Sequence, residues 1–289
     1  MNKFIESLIT RINEAGIQAL LVKGQGVAQC YERPMWRSAG DIDLLLDADN
    51  YEKAKTLLLP MASSTEKEEE VRRHLGMIIG SWNVELHGTL HCGLSERANK
   101  QIDRIQEEAF NKASFRIWQN GETVVLLPGI DEDVIFIFAH ILQHFFRGGI
   151  GLRQICDWSR LLWKYRDSID RTLLEQRISA LGLMTEWKAF GAFIVDYLGM
   201  HIDALPLYDS ASRWNRKARR TSSYILKVGN FGKSRDRSYY TYPYLLRKVR
   251  SFGRNLGDFL RHFAIAPTTS LRVFVQVVVK GVKKISQGR

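Results

Sequence analysis

Cysteine is scarce: the 289-residue chain has three, Cys30, Cys92 and Cys156, widely spaced and odd in number. No zinc-ligand spacing and no disulfide framework follows, and a reducing, cytoplasmic compartment is the expectation. Long apolar runs are missing too; none approaches the ~20 residues that a membrane-spanning helix needs. The N-terminus, Met1 to Gly16, is amphipathic but carries acidic residues and lacks a continuous apolar stretch, so it reads as a helix and not as a signal peptide. There is no internal repeat and no low-complexity segment. Acidic residues are rare in one region only. From Leu205 to Arg289 there are 3 Asp and Glu against 19 Lys and Arg, whereas residues 1–204 hold 28 against 23. The net charge of +11 thus belongs to the C-terminal third. A mildly acidic remainder argues against a nucleic-acid groove across it.

What is present is ordinary for a soluble protein, with 45% hydrophobic and 25% charged residues. The length suffices for one large domain or two modest ones. The most chemical stretch is Leu20 to Asp47. An apolar run, Leu20-Leu21-Val22, stops at Lys23-Gly24-Gln25-Gly26, and a second, Ile42 to Leu46, is entered through Asp41 and Asp43. Residues i and i+2 of a strand share a face, so both carboxylates project together while Ile42 and Leu44 face the other way. Such a pair repels unless a cation lies between, and hard oxygen donors on a rigid strand suit Mg²⁺. On this reading, Asp43→Asn leaves the metal-free fold intact or slightly stabilised, unless the acids pair with a base such as Arg37.

The succession strand, glycine turn, helix and D-x-D strand resembles the DNA polymerase β-like nucleotidyltransferase superfamily. More narrowly, Lys23-Gly24, Arg37 and Gly40-Asp41-Ile42-Asp43-Leu44-Leu45 resemble a bacterial nucleotidyltransferase family of largely unassigned substrate. Val84-Glu85-Leu86-His87 and Leu152-Arg153 through Asp157 fit the same family, so the likeness covers roughly residues 15 to 165 in scattered blocks. It implies an α+β fold, a polymerase β-like sheet domain followed by an all-helical domain. It also implies Mg²⁺ or Mn²⁺ on Asp41, Asp43 and Glu85, and a nucleoside triphosphate near Lys23, Gly24, Gly26, Arg37 and Arg153. One departure is Gln25: the superfamily commonly has Gly-Gly or Gly-Ser at the turn, and here no serine hydroxyl is offered to phosphate.

Taken in order, Phe4, Ile5, Leu8, Ile9 and Ile12 have helical spacing, ending at Gly16. A strand over about Ile17 to Val22 and a helix over Gly24 to Tyr31 follow, the latter offering N–H groups to a phosphate. Asp49 is read as the cap of a helix from Tyr51 to Leu59, and Thr65 to Arg73 as a solvated edge or loop. His74 to Ile79 and Trp82 to His87 read as strands, the second presenting Glu85 and His87 on one face. Asn120-Gly121 marks a hairpin within Phe115 to Leu127. After Pro128 the period becomes helical, with helices over Asp131 to Phe146, Leu152 to Tyr165, Arg171 to Leu181 and Thr185 to Leu198. The expected domains are therefore residues 1–128 and 129–289. His140 and His144 sit at i, i+4 but lack the H-E-x-x-H glutamate and read as a partly buried pair. The glycine-rich Phe145 to Gly151 reads as an interhelix turn.

Beyond Pro206, bases mix with aromatics: Arg213-Trp214, Arg216, Lys217, Arg219, Arg220, then Tyr239 to Tyr244. This composition suits an acidic partner, RNA or an anionic membrane surface. For Leu271 to Ile285 the expectation is a helix packed by its apolar face with its bases in water. The leading functional expectation is nucleotidyl transfer to a small-molecule or protein acceptor. The alternatives are a catalytically silent nucleotide-binding module of the same fold, and a protein-modifying enzyme of toxin–antitoxin type.

Overall fold

A computed structural model describes residues 1–235 and 241–286. Its first helix, α1 (Asn2–Glu14), buries Ile5, Leu8, Ile9 and Ile12, a stripe at i, i+3, i+4 and i+7. Strand β1 (Leu20–Val22) is wholly buried and shorter than the expected strand from Ile17 to Val22. The short helix α2 (Gly24–Ala28) ends before Tyr31. Next come β2 (Asp41–Leu45) and α3 (Ala48–Leu58). The N-cap of α3 is Asp47, not Asp49: its carboxylate accepts from the Asn50 amide at 2.8 Å. Asp49 lies instead in the first turn, where a negative charge meets the positive end of the helix dipole.

Strands β3 (Ala62–Thr65), β4 (His74–Ile79) and β5 (Trp82–His87) complete a five-stranded sheet of order β1-β2-β5-β4-β3. The β2–β5 pairing is parallel and the others are antiparallel. Ile42, Leu44, Val84, Leu86, Leu75, Met77 and Leu21 enter one core with α1, with Tyr51, Ala54 and Leu58 of α3, and with Val125 and Leu127. Only one face of β2 and β5 is thereby committed to packing. The segment from Thr65 to Arg73 is mostly exposed, as expected, and is anchored at Glu68, which accepts from the Tyr51 hydroxyl at 3.0 Å and from Lys55 at 2.5 Å.

Helix α4 (Glu96–Lys112) was not expected from the sequence. Its charged residues outnumber its apolar ones, yet Ala98, Ile102, Ile105 and Ala109 form a buried stripe. The hairpin β6 (Phe115–Asn120) and β7 (Thr123–Pro128) turns at Gly121-Glu122. Helices α5 (Ile130–Arg147), α6 (Leu152–Lys164), α7 (Arg171–Leu181), α8 (Met184–Leu198), α9 (Ser212–Val228), α10 (Tyr244–Phe263) and α11 (Pro267–Ser286) follow.

The chain forms two compact units. One comprises residues 1–91, 100–137 and 160–174; the other comprises 92–99, 138–159 and 175–289. The second has an aromatic centre, with Phe138 stacked on Trp158 at 4.9 Å and Trp187 edge-on to both. The expectation that Leu271 to Ile285 packs by its apolar face is corrected. Leu246, Val249, Phe252, Leu256, Leu260 and Phe263 of α10 are exposed, as are Leu271, Val275, Val279 and Val282 of α11. The buried sides of these helices are small, with His262 and Val273 among their few buried residues. Tyr239 and Tyr240 of the aromatic run lie outside the described residues. No helix among the described residues is long and apolar enough to cross a membrane.

Candidate active site

The site begins where β1 stops. Lys23 takes φ +56° and ψ −144°, a conformation that costs a side-chain-bearing residue of order 1–3 kcal/mol, and Gly24 follows at φ +36°. This reversal turns the chain into α2, whose Val27 amide donates to the Lys23 carbonyl at 3.0 Å. In the antiparallel β1–β2 register Val22 lies opposite Asp43. The Lys23 ammonium reaches the Asp43 carboxylate at 2.8 Å.

The parallel register of β2 with β5 pairs Asp41 with Asn83, Asp43 with Glu85, and Leu45 with His87. Because Ile42, Leu44, Val84 and Leu86 point into the core, Asp41, Asp43, Glu85 and His87 project from the opposite face. On β4, His74 lies opposite His87. Asp43, with 2% of its surface exposed, accepts from His87 Nε2 at 2.8 Å through the same Oδ1 that meets Lys23. Glu85 accepts from Asn83 at 3.0 Å, and its Oε2 lies 3.3 Å from His74 Nε2 and 3.5 Å from His87 Nε2. The two imidazole rings are 4.8 Å apart.

These contacts set the charge states. Burial alone would raise the Asp43 pKa, but the Lys23 charge and the His87 hydrogen bond hold it well below the usual carboxylate range. Lys23, whose burial works the other way, is held above its ordinary value by Asp43. Hydrogen bonds from His74 and His87 depress Glu85, and the Glu85 hydrogen bond raises His74. Asp41 is pushed up by burial and by the charges of Asp43 and Glu85. The expectation that Asp43→Asn relieves an unbalanced repulsion is therefore corrected. Asp43 is paired, though with Lys23 and His87 and not with Arg37; Asp41 carries the uncompensated repulsion.

Two sets of side chains on this face have the chemistry of metal donors. Asp41, Asp43 and Glu85 are hard oxygen donors on adjoining strands. His74, Glu85 and His87 offer ligand atoms within 4.8 Å of one another, a mixed nitrogen–oxygen set. His74 was not singled out in the sequence, and the pairing of β4 with β5 is what brings it beside Glu85. His87 was legible as a face-mate of Glu85 by alternation, but its bond to Asp43 was not.

Gly26 is buried, and a Cβ there would lie 3.1 Å from both the Leu21 carbonyl oxygen and Leu127 Cδ2, so helix-to-strand packing already favours a residue without a Cβ. The side-chain oxygen of buried Gln25 has no hydrogen-bond partner among the described residues. Arg37, half-buried, follows the short 3₁₀ turn Pro34–Trp36. Arg153 is exposed on α6 in the second unit, four residues before buried Asp157. His140 and His144 are half-buried on α5 with rings 4.4 Å apart.

A family model described as uncharacterised nucleotidyltransferase matches residues 1–196. No curated protein and no solved structure matches the chain.

Proposed function

Since the chain belongs to this uncharacterised nucleotidyltransferase family, we propose that it transfers a nucleoside monophosphate from a nucleoside triphosphate to an acceptor hydroxyl, using the outward face of β2 and β5. The observation that carries the reading is the placement of Asp43 beside Glu85 in parallel register, with Asp41 two residues away on the same face. We take the mixed sheet as a polymerase β-like arrangement, with the helices from α5 onward as its companion.

The acceptor hydroxyl gives up its proton to solvent, its oxygen bonds to the α-phosphorus as the bond from that phosphorus to the α–β bridging oxygen breaks, and pyrophosphate leaves with that electron pair. The donor set suits a hard divalent ion. Asp41, Asp43 and Glu85 would hold Mg²⁺ or Mn²⁺, and the repulsion that raises Asp41 is what a cation would relieve. When bound, such an ion neutralises phosphate charge and acidifies an oxygen nucleophile. The chain's own part is orientation. His87 fixes the Asp43 carboxylate, while His74 and Asn83 fix Glu85 in its ionised form. Lys23 supplies a positive charge at the strand end, beside the turn at Gly24. Arg37 is proposed as a further phosphate contact.

One observation favours a second reading. Lys23 and His87 already satisfy Asp43 without any ion, as they would in a silent module that kept the fold. The test is to incubate the purified chain with each labelled nucleoside triphosphate, Mg²⁺ or Mn²⁺, and cell extract. The expected result is label transferred to a small molecule or a protein, with release of pyrophosphate, lost in Asp41→Asn. No transfer from any nucleotide overturns the enzymatic reading in favour of the silent module.

A further inference from the structure

The two C-terminal helices carry an apolar surface that nothing among the described residues covers. At 100° per residue, Leu246, Val249, Phe252, Leu256, Leu260 and Phe263 fall within about 120° of the α10 circumference. Their exposure is substantial: 68% for Val249, 53% for Phe252 and 59% for Leu260. The stripe continues onto α11. Phe274 stacks on Phe259 at 4.5 Å. A groove of about 400 Å³ between the helices is lined by Phe252, Val277 and Val282, with Lys248 and Lys280 at its sides.

The charge around this surface has one sign. On the α10 wheel, Arg247, Arg250, Arg254 and Arg261 border the apolar stripe on one side and Lys248 on the other. The single acid of α10, Asp258, is taken by Arg235 at 2.6 Å and by Arg261 at 3.5 Å. Helix α11 has no acid at all. An exposed apolar patch of this extent marks an interaction surface, and a basic border specifies the charge of what it meets.

We propose that α10 and α11 seat on an anionic membrane surface, with the aliphatic and phenylalanine side chains in the headgroup–acyl boundary and the bases on lipid phosphates. Basic residues flanking an apolar stripe are the arrangement by which a helix lies in a membrane interface, while neither helix is apolar enough to cross. A second copy of the chain is disfavoured because it would bring the same positive border against itself. RNA would use the bases but has no use for exposed valines and leucines.

The test is pelleting of the full-length protein with vesicles of phosphatidylcholine alone or containing phosphatidylglycerol. Pelleting with the phosphatidylglycerol vesicles, weakened by added salt, is expected. Val249→Ser/Leu260→Ser should weaken it roughly tenfold without lowering Tm, since both side chains are already in water. Arg250→Gln/Lys280→Gln should weaken it and flatten the salt dependence. The proposal is overturned by failure to pellet with anionic vesicles, by equal pelleting with neutral ones, or by a serine variant that binds like the wild type. It is equally overturned if light scattering finds a dimer that the serine variant dissociates, or if only RNA is retained.

Discussion

Lys23 and Asp43 meet at 2.8 Å across the β1–β2 pairing, with Asp43 at 2% exposure and Lys23 in a left-handed backbone conformation. A charge pair so placed is hard to break from one side, because removing Asp43 leaves the half-buried Lys23 ammonium without its partner. Asp43→Asn should therefore lower stability by roughly 3 kcal/mol in metal-free protein, measured by urea unfolding. The same change should abolish transfer. An unchanged Tm would show that Lys23 finds another partner and that the pair is not structural.

Asp41 is the cleaner test of the chemistry. Its pKa is raised by burial and by two neighbouring anions. A group raised in the fold stabilises while it is protonated, and that contribution is lost as pH rises through the folded value. At neutral pH, Asp41→Asn should thus be neutral or stabilising by up to about 1 kcal/mol, while removing at least about a hundredfold of transfer. Stability lost together with full activity retained would count against Asp41 as a metal ligand.

His74 and Glu85 predict a pH window. The His74 pKa is raised above 6.5, so its contribution is full below that pH and lost as pH rises through the higher folded value. Glu85 is depressed below 4.5, so its contribution is present above that pH and lost as pH falls through the folded value. In metal-free protein, His74→Gln should lower stability by about 1 kcal/mol between these limits, with the difference shrinking above neutrality. A Tm difference that does not vary with pH would contradict the pairing.

The mixed donor set of His74, Glu85 and His87 predicts competition between metals. Zn²⁺, which accepts imidazole nitrogen more readily than Mg²⁺, should raise Tm and inhibit Mg²⁺-dependent transfer. His74→Gln should relieve that inhibition. Calorimetric titration would count against it if Zn²⁺ bound the variant as tightly as the wild type.

Gly26 separates packing from nucleotide approach. A Cβ there presses on the Leu21 carbonyl oxygen, which is backbone and cannot swing aside. Gly26→Ala should cost roughly 1–3 kcal/mol by overpacking, with the KM for nucleotide in the folded fraction unchanged. A raised KM with normal stability would restore the phosphate-contact role.

The sequence by itself determined which side chains share a face. Alternation along β2 and β5 is a local property of extended chain, so Asp41 with Asp43, and Glu85 with His87, were legible without any neighbour. The helices from α5 to α8 were legible because a 3.6-residue apolar period survives any packing arrangement. Helix α4 was hidden, since its small buried stripe is outnumbered by charge, and the α3 cap was misplaced because Asp47 and Asp49 look equivalent until backbone angles choose between them. Only the tertiary structure decided the partners. Strand pairing put Val22 beside Asp43, Asp43 beside Glu85 and His74 beside His87, which turned a repelling carboxylate pair into a balanced network with Asp41 as its unrelieved member. The apolar alternation of Leu271 to Ile285 was visible in the sequence, but the same pattern describes a face buried in a core and a face left in water; what packs against it is a non-local fact.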